Sequence, residues 1–240
     1  MNEADRDADV ALEQALWPGL RAIWRRRSLW NGLFLPASLL ALLFVLSAIG
    51  YGGTGYFNAA RGFVAWDPHT VFDDALPAVP WTLVIYLSFD LLFVIAAFSA
   101  PRDARGQVEL VLFVQALVVV GALSFVIFLA LPCEVPIRGD PALHTGVFAA
   151  AFNWLHKSDP PWNAWPSLHV SQSLMCSAAI ARWRAADKPG LRLALGLVWL
   201  AIALSTLTTK QHFLFDVLTG AVVGWAAWSM LLRPAFDRLD

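Results

Sequence analysis

The stretch Ser205-Thr-Leu-Thr-Thr-Lys-Gln-His212-Phe-Leu-Phe-Asp216 joins the end of one long apolar run to the start of the next. If the second run is helical, His212 and Asp216 stand four residues apart and lie on one face, one turn from each other. A carboxylate there can accept a hydrogen bond from the imidazole Nδ1–H, which leaves Nε2 with a lone pair for nucleophilic attack. Polar side chains at the edge of a membrane are costly, so the pair predicts either a functional site or an ion pair that locks two helices.

The composition predicts a helical membrane protein. Of the 240 residues, 58% are hydrophobic and 15% are charged, whereas a soluble domain carries about 25% charged residues. The deficit comes from runs of about 20 residues, which is the length that spans hydrocarbon. The sequence therefore predicts an all-α integral membrane protein with six transmembrane helices. The predicted spans are 30–49, 81–100, 110–131, 167–182, 193–209 and 212–232.

Two helices outside these spans are also predicted. Residues 1–27 begin acidic and end basic, with apolar residues at helical spacing, so we expect an amphipathic helix along the membrane face. This segment precedes a six-span catalytic membrane domain formed by residues 28–240. The connection between spans three and four has apolar residues at helical spacing over 142–156, which predicts a short extramembrane helix.

A glycine-rich segment follows the first predicted span, and a carboxylate lies inside the second. The glycine-rich segment 51–56 is predicted to end the first helix as a flexible connection, because no Gly-Lys-Ser/Thr follows it to make a phosphate loop. Asp90 interrupts the second span. A carboxylate at that depth usually has a partner inside the bundle, so we expect a hydrogen bond to a neighbouring helix, with a proton relay as the alternative.

The basic residues predict the orientation in the membrane. With the N-terminus in the cytoplasm, 13 of the 17 Lys and Arg residues lie on the cytoplasmic side. Both termini are then cytoplasmic, in a plasma, inner or endomembrane. The loops that carry Arg138, His169, Lys210 and His212 all meet on the opposite face. No basic cluster with interleaved aromatic residues indicates nucleic acid as a partner.

This convergence supplies the groups needed for phosphoryl transfer. Arg138 and Lys210 could neutralise the non-bridging phosphate oxygens, while one imidazole attacks phosphorus and the other protonates the leaving oxygen. Ser167, at a predicted helix start, could donate its hydroxyl and backbone N–H to phosphate. The carboxylates are too few and too scattered for a Mg²⁺ or Zn²⁺ cage, so we expect neither a metal nor another cofactor.

These motifs resemble the type 2 phosphatidic acid phosphatase superfamily of lipid phosphatases and phosphotransferases, over residues 130–220. That family has the motifs Lys-x6-Arg-Pro, Pro-Ser-x-His and Ser-Arg-x5-His-x3-Asp. The stretch Pro166-Ser167-Leu168-His169 matches the second motif in full, and 205–216 matches the third in spacing, with Thr206 where the arginine should be. The first motif is degraded, since Leu131 occupies its lysine position and Arg138 stands for its arginine.

The resemblance implies specific roles for these residues. His212 would form a phosphohistidine, Asp216 would orient it, and His169 would be the acid–base group. Ser167 and Arg138 would hold the phosphate, and we assign Lys210 from its position alone, as a replacement for the missing arginine. Ser-Thr in place of Ser-Arg, followed by His-x3-Asp and Gly220, resembles the inositol phosphorylceramide synthase branch, whose members transfer head groups between lipids, including sphingolipids.

The predicted function is therefore a membrane enzyme that cleaves or transfers a phosphate or phosphoalcohol group of a lipid. Two alternatives remain open. One is a proton-coupled transporter that uses His212 and Asp216 as a relay, and the other is a catalytically degenerate, lipid-binding member of the family. The sequence does not indicate the lipid, the acceptor or the oligomeric state.

Overall fold

Helices form nearly all the regular structure of residues 17–239, which are the part of the chain that the computed structural model describes. Short helical turns at Pro18–Leu20, Arg21–Trp24 and Leu29–Gly32 lead into the first long helix. The helices that follow are α1 (Phe34–Arg61), α2 (Val71–Ala75), α3 (Pro80–Ser99), α4 (Ala104–Ala130), α5 (Ala149–Ser158), α6 (Leu168–Arg184), α7 (Pro189–Thr208) and α8 (Leu214–Asp237). The prediction of an all-α fold is confirmed.

Five of these helices, α1, α3, α4, α7 and α8, are long and apolar enough to cross a membrane. The remaining predicted span corresponds to α6, which has 17 residues. This helix lies at the centre of the bundle, with α3, α4, α7 and α8 packed around it. It is less apolar than the others because its side chains face protein, and its buried positions include Ser171, Ser173 and Ser177. Small residues of this kind let neighbouring helices approach closely.

Two glycines set the distance between α6 and α8. A Cβ atom at Gly220 would lie 2.6 Å from the backbone oxygen of Ser167, and one at Gly224 would lie 2.6 Å from that of Ser171. Backbone atoms within a helix cannot yield, so only glycine permits this approach. The contact holds the start of α6 against the start of α8, where the predicted site residues lie.

Replacing Gly220 by Ala should therefore separate α8 from α6. We expect a loss of about 1–3 kcal/mol in the free energy of unfolding, as for other overpacked contacts, together with a loss of activity. Thermal unfolding of the purified protein in detergent measures the first effect. Gly196→Ala is the matched control, since nothing lies within 4 Å of a Cβ atom at that position. Equal stability of the two variants would show that the α6–α8 contact is not tight.

The prediction that residues 51–56 end the first helix is wrong. α1 continues to Arg61 through a π-helical turn at Ala48–Gly52, and it ends at Gly62, whose φ of +63° is left-handed. Gly50 and Gly55 serve close packing, whereas nothing lies within 4 Å of a Cβ atom at Gly52 or Gly53. A Cβ atom at Gly50 would overlap the ring of Phe125 on α4, and one at Gly55 would lie 3.1 Å from the Asn163 amide. Glycine at a helix crossing and glycine in a turn look alike in a sequence.

The predicted helices outside the spans are found in part. Residues 1–16 of the predicted amphipathic helix lie outside the described residues, so its character stays a prediction; Leu20 and Trp24 pack into the main core of the bundle. The helix predicted for 142–156 begins only at Ala149, after 3₁₀ turns at Pro141–His144 and Gly146–Phe148. This helix, α5, packs its buried Phe152 and Leu155 against Leu83 and Tyr86 in the N-terminal part of α3.

Candidate active site

The predicted site residues gather at the end of the bundle where α7 meets α8 and where α6 begins. The backbone N–H of Ser167 donates to the backbone oxygen of Asp216 at 3.2 Å, which ties the starts of α6 and α8 together. Ser167 is fully buried, and its hydroxyl oxygen caps α6 by accepting from the Val170 N–H at 3.4 Å. The hydroxyl proton of Ser167 is not used by this cap and is available for another acceptor.

His212 lies in the turn between α7 and α8. α7 ends at Thr208, and Lys210 adopts a left-handed conformation with φ of +57°. The Thr206 backbone oxygen accepts from the N–H groups of both Gln211 (2.9 Å) and His212 (3.2 Å). Since α8 begins only at Leu214, His212 precedes the helix, and the predicted one-face helical arrangement with Asp216 is not what brings the two together.

The His212–Asp216 pair forms instead across the N-terminal cap of α8. The Asp216 Oδ2 atom accepts from the Phe213 N–H at 2.9 Å and lies 3.5 Å from His212 Nδ1. Both side chains are buried, and within residues 17–239 neither His212 Nδ1 nor Asp216 Oδ1 has a hydrogen-bond partner. Catalytic hydrogen bonds are often long before substrate binds. The geometry thus directs Nδ1 towards the carboxylate and leaves Nε2 for chemistry.

His169 faces this pair from the first turn of α6. Its ring stacks on Tyr86 at 4.3 Å and contacts Phe89 at 4.5 Å, between ring centroids. The His169 and His212 centroids are 5.8 Å apart with the rings edge to face. No residue of the described chain forms a hydrogen bond with the His169 ring. Its ring nitrogens are therefore available to a ligand between the two histidines.

Arg138 lies on the same side as His212. The two side chains line a small polar cavity together with Gln211, Asp159 and Asn163. The Arg138 guanidinium donates to the backbone oxygen and to Oδ2 of Asp159, each at 3.0 Å, while its buried Nε has no partner among the described residues. Arg138 is therefore held by Asp159 at the edge of this cavity, with its Nε–H left to donate.

A larger apolar cavity adjoins the polar one. Its volume is about 350 Å³, and it lies between α1, α3 and α6, with His169 in its wall. Tyr51, Tyr86 and Asp159 line both cavities, so they mark the boundary between them. A polar compartment above an apolar one is the arrangement that an amphipathic ligand requires.

Gln211 is positioned by a neutral histidine. Burial, together with the positive charge of Arg138, lowers the pKa of His156 to about 4. The ring of His156 is then uncharged near neutral pH, and its Nε2 lies 3.1 Å from the Gln211 amide nitrogen. That amide also donates to the Thr209 backbone oxygen at 2.8 Å, which fixes the side chain beside His212.

The Lys210 side chain forms its hydrogen bonds at a distance from His169 and His212. Its ammonium group donates to the backbone oxygens of Asp73 (2.7 Å) and Leu76 (2.6 Å), and the residue is buried. Asp73 in turn accepts from the Leu214 N–H at 2.7 Å. These contacts fasten α2 to the α7–α8 turn. The phosphate-binding role of Lys210 stays a prediction, and its contacts favour a structural role.

The variants Lys210→Met and Arg138→Met distinguish a structural lysine from a phosphate-binding cation. We expect Lys210→Met to reduce the free energy of unfolding by about 1–3 kcal/mol, because two buried carbonyls lose their donor, with little effect on turnover. Arg138→Met should slow turnover by roughly 10- to 200-fold, which corresponds to one charge-assisted contact with phosphate. Rates and unfolding temperatures of both variants test this. If Lys210→Met loses as much turnover as Arg138→Met while still folded, Lys210 contacts the phosphate.

Sequence reasoning missed several residues of the two cavities. Asp159, Gln211, Tyr51 and Tyr86 carry no motif, and only the folded chain brings them to His212 or His169. Asp159 lies shortly after the predicted extramembrane helix 142–156 and directly after the observed α5, and this position was its only signal in the sequence. In residues 17–239, no three His, Cys, Asp or Glu side chains form a group that could hold a metal. The expectation of a metal-free reaction stays a prediction.

Comparison with known proteins gives one match. Residues 62–230, which include every predicted site residue, match the family model described as the PAP2 superfamily. No curated protein and no solved structure matches the chain.

Proposed function

The chain belongs to the PAP2 superfamily of phosphatases and phosphotransferases that act on lipid-like substrates, and we propose that it cleaves or transfers the phosphate group of a membrane lipid through a phosphohistidine on His212. One observation carries the proposal: two histidines, one backed by a buried carboxylate, face each other where a polar cavity meets an apolar one. The side chains that line the small polar cavity suit the oxygens of a phosphate, although the cavity, at about 10 Å³, has to widen to admit one. The apolar cavity, at about 350 Å³, suits a hydrocarbon chain.

The proposed first step forms one bond and breaks another. His212 Nε2 attacks phosphorus, the N–P bond forms, and the P–O bond to the lipid breaks. Asp216 keeps the proton on Nδ1 and stabilises the positive ring. His169, entering the step protonated, gives its proton to the leaving lipid oxygen. Arg138 and the Ser167 hydroxyl bind the non-bridging oxygens, where negative charge is spread in the transition state.

In the second step His169 acts as the base. It takes a proton from water or from an acceptor alcohol, whose oxygen then attacks phosphorus as the N–P bond breaks. With water the product is inorganic phosphate, and with an alcohol it is a new phosphate ester. The likeness to the inositol phosphorylceramide synthase branch supports an alcohol acceptor and a sphingolipid, and both remain part of the proposal.

A degenerate, inactive family member is the main competing interpretation, because two basic residues of the family motifs are missing. Arg138 in the cavity wall beside His212 argues against it, since a phosphate-binding cation is retained at the nucleophile.

The test is turnover by the purified protein in lipid nanodiscs. Long-chain alkyl phosphates and phosphatidic acid are supplied with water alone, or with added alcohols including inositol, and the products are identified by mass spectrometry. We expect loss of the lipid phosphate and a His212 adduct that is labile in acid and stable in base. Absence of turnover with every lipid and acceptor would remove the enzymatic proposal.

We also propose that α6 crosses the membrane as the sixth span and that the site faces away from the cytoplasm. The distribution of basic residues supports this orientation. A cysteine in place of the exposed Lys157 should react with a membrane-impermeant thiol reagent in intact cells. A cysteine in place of the exposed Lys188 should react only after the membrane is opened. The native Cys133 and Cys176 are buried and give little background; the reverse labelling pattern would invert the orientation.

A further inference from the structure

The apolar cavity beside His169 has the shape and position of a site for the lipid part of a substrate. Aromatic side chains form much of its wall, among them Phe44, Phe89, Phe93 and Phe125. Phe44 and Leu87 at its rim are 38% and 42% exposed on the outer surface of α1 and α3. The cavity therefore opens sideways between these helices, towards the side from which a lipid would enter.

One residue of this wall does not fit a purely apolar ligand. Asp90 lies in the middle of α3, and its side chain lines the cavity. The expected hydrogen bond to a neighbouring helix is not found, since no residue in 17–239 forms a hydrogen bond or an ion pair with Asp90. Asp90 is an exposed residue, and a carboxyl group without a protein partner is costly where the surface faces hydrocarbon, which suggests that a ligand supplies the partner.

The depth of Asp90 fixes which part of a ligand it could meet. Tyr86, which stacks on His169, precedes Asp90 by four residues on the same helix. At a rise of 1.5 Å per residue, Asp90 lies about 6 Å further along the helix axis than Tyr86. Phe89, the residue before Asp90, also touches the His169 ring. A lipid whose phosphate lies between the two histidines would therefore bring its first few carbons past Asp90.

We propose that Asp90 determines substrate specificity by binding a hydrogen-bond donor, a hydroxyl or an N–H group, on the first carbons next to the phosphate. The inference rests on the proposed function and narrows its substrate class. Lipid phosphates with a hydroxyl, amine or amide in that position satisfy Asp90. Isoprenyl and plain alkyl phosphates have no donor there and leave the carboxyl group unpaired, at a cost in affinity.

Binding of two matched phosphonates tests this without turnover. Octadecylphosphonate and 2-hydroxyoctadecylphosphonate differ by one hydroxyl, and neither carries a cleavable P–O bond to the lipid. With the whole protein in phosphatidylcholine nanodiscs, we expect the hydroxylated probe to bind about 10- to 100-fold more tightly. Asp90→Leu should abolish this preference without weakening the unsubstituted probe. Asp90→Asn, which keeps an acceptor oxygen, should retain part of it.

Leu91→Asn is the matched control, because Leu91 follows Asp90, is 57% exposed and is not part of the cavity wall. It should leave the preference unchanged. Equal binding of the two probes by the parent protein, or an unchanged preference in Asp90→Leu, would overturn the inference and leave the phosphatase proposal standing. Binding of neither probe would overturn the inference together with the lipid-phosphate site on which it rests.

Discussion

Replacing His212 by Gln is expected to reduce turnover by at least about 10⁴-fold and to remove the covalent phosphoenzyme. Glutamine has a similar length and a polar end, but its amide nitrogen has no lone pair available for attack on phosphorus. Loss of a nucleophile commonly leaves only the residual catalysis that binding and electrostatics provide. The measurements are lipid phosphate turnover and the mass of the intact protein after acid-free quenching.

A matched control is His69→Gln, the same substitution on a residue outside both cavities. His69 pairs with the exposed Asp74 at 2.9 Å, so it resembles His212 in having an aspartate partner but does not line either cavity. We expect nearly normal turnover in this variant. Turnover within a few-fold of the parent in His212→Gln would rule out a phosphohistidine at this position.

The variant His169→Gln distinguishes the role of a general acid from that of the nucleophile. If His169 protonates the leaving oxygen, its loss matters for an alkoxide leaving group and much less for 4-nitrophenolate, which needs no proton. His169→Gln should therefore still form the phosphoenzyme from 4-nitrophenyl phosphate, whereas His212→Gln should not. The same defect with both leaving groups would assign His169 a role other than that of an acid.

The sequence predicts which residues meet at this site better than it predicts the local structure that holds them. His212 and Asp216 do come together, but across the cap that precedes α8 and not on a helical face. A spacing of four residues is compatible with both arrangements, because an N-cap turn also brings a side chain at N3 back towards the preceding residues. The spacing alone could not decide between them.

Other features depend on contacts between distant parts of the chain. The bond from Lys210 to the Asp73 backbone joins residues 137 positions apart, so an unpaired loop cation and a buried structural lysine look the same in the sequence. The polar character of α6 follows from its central position, which hydropathy does not report. Gly50 and Gly55 of α1 are likewise explained only by their contacts with α4 and Asn163.

Asp216→Asn should cause the second-largest loss, roughly 10²- to 10⁴-fold in turnover, because removal of the charge behind the histidine weakens the serine-protease triad in the same way. The substitution keeps the shape of the side chain, and its amide oxygen can still accept from the Phe213 N–H that caps α8. The same oxygen position faces His212 Nδ1, so the amide oxygen still favours the tautomer with the proton on Nδ1. The loss arises because no negative charge remains to stabilise the ring after it attacks phosphorus.

Stability measurements distinguish the catalytic role of Asp216 from its role as the N-terminal cap of α8. Asp216→Asn should unfold within about 1 kcal/mol of the parent, whereas Asp216→Ala should lose a further 0.5–2 kcal/mol or so, because it also removes the cap. Asp74→Asn breaks the exposed His69–Asp74 pair and should leave turnover unchanged. If Asp216→Asn keeps turnover within 10-fold of the parent and only Asp216→Ala is impaired, Asp216 acts as a helix cap, and the orientation of His212 must come from its backbone bonds to Thr206.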